Sequence, residues 1–346
     1  MMTKPNKLKP GDTIATVSLS WGGAGDETLI HRYKIGKARL EEVFGLNVVE
    51  MPHTLKGTKF TYEHPEKRAE DFMAAFRDPN IKAIISNIGG EDAIRMLPYI
   101  DFDVIKNNPK IFMGYSDTTI NHLMCHKAGL MSYYGPCILM EFAENVEMHE
   151  YTVDAVIKTL FETEPIGLVE SSPNWTSERM EWESVENQTI RRAMKHETHG
   201  NETIQGHGTV RGKLIGGCIE VLDAARGTAI WPELDHFKDA ILFLETSEEK
   251  PTPYLVTQML RSFVAIGIID KIAGIVIGKP QDEANYEEYK DVYKNIIGFE
   301  AGRPDLPILY NLNFGHTSPI FILPYGAMAE INCEEITFTI LEPGVK

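Results

Sequence analysis

Pro109-Lys110-Ile111-Phe112-Met113-Gly114-Tyr115-Ser116-Asp117-Thr118-Thr119 is the stretch on which the fold turns. The apolar run at its start reads as a short buried strand. Gly114 to Asp117 reads as a sharp turn. A helix is predicted from residue 118 to about 127, with Gly129 where a helix usually stops. A serine on a strand-to-helix turn points its hydroxyl outward, beside a helix N-terminus that favours developing negative charge.

Working outward, the same alternation recurs. Strands are predicted at residues 13–18, 46–50 and 83–88, and helices at 28–44, 65–77 and 92–97. Strands alternating with helices imply βαβ units, so residues 1–165 are expected to form an α/β domain with a mainly parallel sheet flanked by helices. Ligand sites in such sheets gather outside the carboxyl ends of the strands. Gly89-Gly90 and Ser116 each follow a strand and are expected on one edge.

Residues 166–206 change character. They are polar, contain Trp175 and Trp182, hold no lasting period, and read as a long connection that carries function. Strands return at 209–215, 240–245, 272–277 and 335–341, with helices at 217–225 and 253–267. A smaller, mixed α/β domain over residues 207–346 is expected.

Bulk composition narrows the partners. Against 34 Lys and Arg stand 50 Asp and Glu, a net charge of −16, which repels phosphate backbones and argues against nucleic acid. No apolar run reaches the roughly 18 residues a membrane span needs, and no secretory signal is visible, so a cytoplasmic protein without a membrane partner is expected. Cys125, Cys137, Cys218 and Cys333 are scattered, which argues against a disulfide framework or a zinc knuckle.

A serine needs a base, and the base needs an orienting acceptor. Among eleven histidines, His316 stands out in the turn-rich run Asn313-Phe314-Gly315-His316-Thr317-Ser318-Pro319. The plain alternative is a surface histidine. Glu245 ends the apolar strand Ala240-Ile241-Leu242-Phe243-Leu244 and is a candidate orienting carboxylate; the alternative is a solvated strand end. Gly89-Gly90 can bring a backbone N–H close to a reacting oxygen because no Cβ intervenes, and the Asp117 N–H is a second candidate donor. His122 and His126 share a helix face at i, i+4, but His-Leu-Met-Cys-His lacks the glutamate of a metalloprotease signature, so no metal is expected. Ser116 is followed two residues on by Thr118, which departs from the Gly-x-Ser-x-Gly elbow.

In their order these motifs resemble the LD-carboxypeptidase family of serine peptidases. The resemblance runs from Leu8-Lys9-Pro10-Gly11-Asp12-Thr13-Ile14 through Gly89-Gly90-Glu91-Asp92, Gly114-Tyr115-Ser116-Asp117-Thr118-Thr119, Gly212-Lys213-Leu214-Ile215-Gly216-Gly217 and Leu244-Glu245 to Gly315-His316. It implies a serine carboxypeptidase with Ser116 as nucleophile, His316 as base, Glu245 as its orienter, and Gly90 and Asp117 as oxyanion-hole donors. No cofactor or metal is implied, and a homodimer is. Within the family, length and the segment Asn174-Trp175-Thr176-Ser177-Glu178-Arg179-Met180-Glu181-Trp182-Glu183 resemble the microcin C immunity proteins. That implies a small peptide or peptidyl-nucleotide substrate, with Trp182, or failing it Trp175, stacking on a nucleobase and Gly89 lining the site. Cys218 stands where many relatives have asparagine, which puts this loop's substrate contacts in question. Two other readings stay open: a murein tetrapeptide LD-carboxypeptidase in peptidoglycan recycling, and a non-catalytic small-molecule-binding protein.

Overall fold

The computed structural model describes residues 2–346. One sheet has the strand order Leu323–Pro324, Tyr133–Tyr134, Ile111–Gly114, Ile81–Ser86, Thr13–Val17, Asn47–Glu50. Its pairings are parallel except at the Leu323–Pro324 edge. A second sheet runs Gly167–Leu168, Thr337–Ile340, Met328–Asn332, Thr209–Cys218, Ile241–Glu245, Gly274–Gly278, Ile308–Leu312, Glu202–Gln205. Its centre is parallel and its flanks antiparallel. The architecture is therefore mixed α/β, with a mostly parallel first sheet flanked by helices, as expected.

The central strands are apolar on both faces because helices cover both. Ile111–Gly114 and Gly274–Gly278 are buried at every position. The helix Thr119–Lys127 is buried from Thr119 through Cys125 and belongs to a core shared with Ile215, Leu242 and Leu244 of the second sheet. Its sequence shows little amphipathic contrast because it has no solvent face over that span.

Several boundaries differ from expectation for local physical reasons. The strand expected at 83–88 starts at Ile81 and stops at Ser86; the Asn87 N–H makes the last bond to its neighbour, to Val17 O at 2.8 Å, before the chain leaves the sheet for Gly89-Gly90. The stretch expected as a helix at 92–97 is a 3-10 segment, Ala93–Tyr99, with Pro98 inside it. Gly216-Gly217 lies in the strand Thr209–Cys218, and the helix starts only at Ile219. A Cβ on Gly216 would sit 2.7 Å from the Phe243 carbonyl carbon, so the close strand approach needs glycine there. Residues 166–206 are more regular than expected. Asn174–Trp175 pairs with Lys195–His196, and Gly167–Leu168 and Glu202–Gln205 edge the second sheet.

Candidate active site

The carboxyl ends of three parallel strands meet at one edge. Thr13–Val17 leads into Ser20 and Trp21, Ile81–Ser86 into Gly89-Gly90, and Ile111–Gly114 into Ser116. Val17 pairs with Ser86 and Ile85 with Met113, so these ends are level. Ser116 itself has φ of 63°, a left-handed conformation that costs about 1–3 kcal/mol in a non-glycine residue and clusters at functional sites. The turn is held by Thr118 Oγ1, which donates to Tyr115 O, and by Thr119 Oγ1, which donates to Ser116 O, both at 2.7 Å.

Glu245 and His316 arrive from the second sheet. Glu245 ends its strand beside Cys218, and its side chain is fully buried. His316 lies in the loop after Ile308–Leu312. That loop is braced by the connecting segment: Thr176 and Ser318 exchange backbone hydrogen bonds at 2.7 and 2.8 Å. His316 Nδ1 is 2.7 Å from Glu245 Oε2, and His316 Nε2 is 3.0 Å from Ser116 Oγ. The three side chains proposed from sequence therefore converge, with the imidazole 7% exposed.

Tyr134 was missed by sequence reasoning. The Ser116 N–H donates to Tyr134 Oη at 3.1 Å, and Tyr134 Oη donates to Glu245 Oε1 at 2.5 Å. This closes a ring of hydrogen bonds through Ser116, Tyr134, Glu245 and His316. Burial and the neighbouring Glu245 carboxylate push the tyrosine pKa well up, so it stays a donor. Its only sequence signal was the aromatic pair Tyr133-Tyr134, in a strand too short to show a period.

Burial disfavours a charged imidazole, but the charge and hydrogen bond of Glu245 and the nearby Glu248 carboxylate outweigh it. They hold His316 well above its ordinary pKa. Glu248 also lies at this group, its Oε2 2.9 Å from His316 Nε2. Burial alone would raise the Glu248 pKa, but His316 and then Arg179 hold it down at about 2.

Gly89 packs directly against the serine. A Cβ there would sit 2.8 Å from Ser116 Cβ and 3.1 Å from its Oγ. Gly90 has φ of 144°, and a Cβ on it would meet Trp21 N at 2.7 Å. Among the described residues, neither the Gly90 nor the Asp117 N–H has a hydrogen-bond partner. The loop is anchored further along by Arg68, which forks onto Asp92 at 2.7 and 3.2 Å. The Asp117 carboxylate accepts the Ala93 N–H at 2.8 Å, so this side chain braces the loop while its own N–H stays open.

These groups line a cleft of about 1020 Å³, a size that suits a ligand of drug or nucleotide-conjugate dimensions. Trp182 lies in its wall, as does Trp21, which the sequence reading did not single out. Their ring centroids are 6.3 Å apart at 25°, and the Arg32 guanidinium lies 4.6 Å from the Trp182 ring. Trp175 is a correction: it is 1% exposed and does not line the cleft. It is packed between the ammonium groups of Lys195 and Lys279, each 4.5 Å from the ring. Cys218 does line the cleft, its Sγ donating to Glu220 Oε2 at 3.3 Å.

His122 is fully buried with both ring nitrogens engaged, by Ser132 Oγ and Gly114 O at 2.8 Å each. Burial pushes its pKa down to about 3. It serves the core and is not oriented as a metal ligand. Among the described residues, no helix is long and apolar enough to cross a membrane.

The family profile described as the LD-carboxypeptidase N-terminal domain matches residues 14–135, and that of the C-terminal domain matches residues 211–331. An MccF-like protein from Streptococcus pneumoniae, solved in complex with AMP, superposes with a TM-score of 0.87 at 36% identity. The match covers 95% of this chain and 98% of that one. The microcin C7 self-immunity protein MccF of Escherichia coli is 28% identical over 97% of this chain and 94% of its own length. A structure of microcin C7 self-immunity protein MccF with aspartyl sulfamoyl adenosine superposes with a TM-score of 0.83 at 26% identity, covering 99% of this chain and 100% of that one. A Bacillus subtilis relative named "Probable murein peptide carboxypeptidase" is 29% identical over 99% of this chain and 95% of its own length.

Proposed function

The chain belongs to the LD-carboxypeptidase family and is a serine-type carboxypeptidase; from that premise we propose that Ser116 is its nucleophile, His316 its general base and then acid, and Glu245 the carboxylate that orients the imidazole. The observation that carries this reading is the pair of contacts at His316, 2.7 Å to Glu245 and 3.0 Å to Ser116. Nδ1–H on Glu245 leaves the Nε2 lone pair for the serine proton. The Ser116 oxygen attacks the scissile carbonyl. The open N–H groups of Gly90 and Asp117 are the donors for the oxyanion that forms. His316 then returns the proton to the leaving nitrogen, and water hydrolyses the acyl-enzyme.

The substrate we propose is a peptidyl-nucleotide conjugate, cleaved at the amide before its nucleotide-like end. Support comes from Trp182 in the wall of a cleft of about 1020 Å³ and from relatives solved with AMP and with aspartyl sulfamoyl adenosine. The second reading, removal of a terminal residue from a murein tetrapeptide, is favoured by the name of the Bacillus subtilis relative. Side-by-side hydrolysis of an aspartyl-adenylate mimic and a murein tetrapeptide separates them. A kcat/KM at least tenfold higher on the first supports the proposal, and the reverse preference overturns it.

A further inference from the structure

His316 Nε2 has two neighbours at nearly equal distance, and one of them is a carboxylate. Glu248 Oε2 lies 2.9 Å away and Ser116 Oγ 3.0 Å. The Glu248 contact is an ion-pair distance without the alignment of a hydrogen bond, and a carboxylate that close favours a proton on the ring nitrogen, since two lone pairs would repel. With Nε2 protonated and Nδ1 donating to Glu245, the ring is an imidazolium between two carboxylates and has no lone pair for Ser116.

The two carboxylates are held differently. Glu245 ends a central strand with its side chain fully buried, whereas the Glu248 side chain is 32% exposed. Glu248 sits on the loop that follows. Glu220 Oε1 anchors this loop by accepting the Ser247 N–H at 2.9 Å and its hydroxyl at 2.6 Å. Lys250 pairs with Asp282 at 2.5 Å. The other oxygen of Glu248 is 3.1 Å from Arg179, which also lines the cleft and whose side chain is 65% exposed. A second cation is therefore in place to keep Glu248 when it leaves the histidine.

We propose that Glu248 is a gate on the catalytic base: it caps His316 Nε2 in the resting enzyme and must withdraw toward Arg179 before Ser116 can be deprotonated. In that step the Nε2 proton passes to solvent, the neutral ring keeps its Nδ1–H on Glu245, and the freed lone pair faces the Ser116 hydroxyl. Glu248 remains anionic throughout. The groups facing His316 are Glu245 from the strand end, Glu248 from the loop, Ser116, and the Tyr115 ring edge-on at 5.2 Å. Tyr134 stands behind Glu245. The gate rests on the serine-peptidase reading above.

The test is an NMR titration of His316 in 15N-histidine-labelled protein, with the pH profile of fluorophosphonate labelling at Ser116 alongside. Glu248→Gln and Glu248→Ala are each compared with wild type; the alanine variant guards against glutamine remaking the same contact. Both variants should titrate His316 at least one pH unit lower and be labelled severalfold faster near pH 6, with rates converging at high pH. Superimposable His316 titrations in all three proteins overturn the gate and leave the serine mechanism standing. A wild type that is never labelled refutes the serine nucleophile and takes the gate with it, while the titration still reports the Glu248 contact.

Discussion

The Tyr134 hydroxyl donates to Glu245 Oε1 at 2.5 Å, while the same oxygen accepts the Ser116 N–H at 3.1 Å. One tyrosine thus fixes the carboxylate and the backbone of the strained serine together. Tyr134→Phe keeps the buried ring and removes both bonds. A hydrogen bond to a charged group contributes about 1.5–3 kcal/mol, so kcat should fall about 10- to 100-fold with KM nearly unchanged. Steady-state kinetics check this; an unchanged kcat would make Tyr134 a packing residue only.

Gly89→Ala should cost more activity than stability. The added methyl would lie 2.8 Å from Ser116 Cβ and 3.2 Å from the Asp117 nitrogen, closer than ordinary contact. The serine must shift, and a misplacement of about 1 Å can cost about 100-fold in rate. A melting curve beside the kinetics separates the two effects. Near wild-type turnover would show that the Gly89 loop does not sit against the working serine.

The pH dependence follows from two groups. His316 is held above its ordinary pKa of about 6.5, and the base must be neutral. The acid limb of kcat/KM should therefore lie above pH 6.5, with activity rising into the alkaline range. The same shift acts on stability: a raised folded pKa adds stability below the unfolded value, lost as pH rises through the folded one. Glu248, held at about 2, has the opposite sign. Its contribution is present above the unfolded carboxylate pKa and is lost as pH falls toward 2. An acid limb at or below pH 6 would contradict the His316 assignment.

Trp182→Ala separates the two substrate readings. Aromatic stacking on a base contributes about 1–3 kcal/mol. The variant should lose about 10- to 100-fold on an aspartyl-adenylate mimic and keep its rate on a murein tetrapeptide. Equal losses on both would assign Trp182 to holding Trp21 and Arg32 in place.

What was legible in the sequence was what local pattern controls. The strand-turn-helix at Ser116, the helix Pro65–Arg77 and the strand Ile241–Glu245 were read close to their observed bounds. Ser116, Glu245 and His316 were found because a nucleophile, a base and an acid each sat on an informative turn or strand end. What escaped depends on tertiary packing. Ile308–Leu312 is a fully buried strand whose run Ile-Leu-Tyr-Asn-Leu breaks any alternation, and its pairing with Gly274–Gly278 exists only in the assembled sheet. Tyr134 gains its role from a carboxylate 111 residues away. Trp175 and Trp182 look alike in the polar connection, yet Lys279 and Lys195 bury the first while the second faces the cleft. No local signal distinguishes them.

The central claim is that Ser116 is a nucleophile driven by His316 and Glu245. Intact-mass and peptide-mass analysis after fluorophosphonate treatment tests it without knowledge of the substrate. One adduct mapped to Ser116 in the wild type is expected. Ser116→Ala should give none, and should lower turnover about 10⁴- to 10⁶-fold by comparison with other triads, while His316→Ala should slow labelling by several orders of magnitude. An unlabelled wild type, or labelling that ignores the loss of His316, would contradict the account.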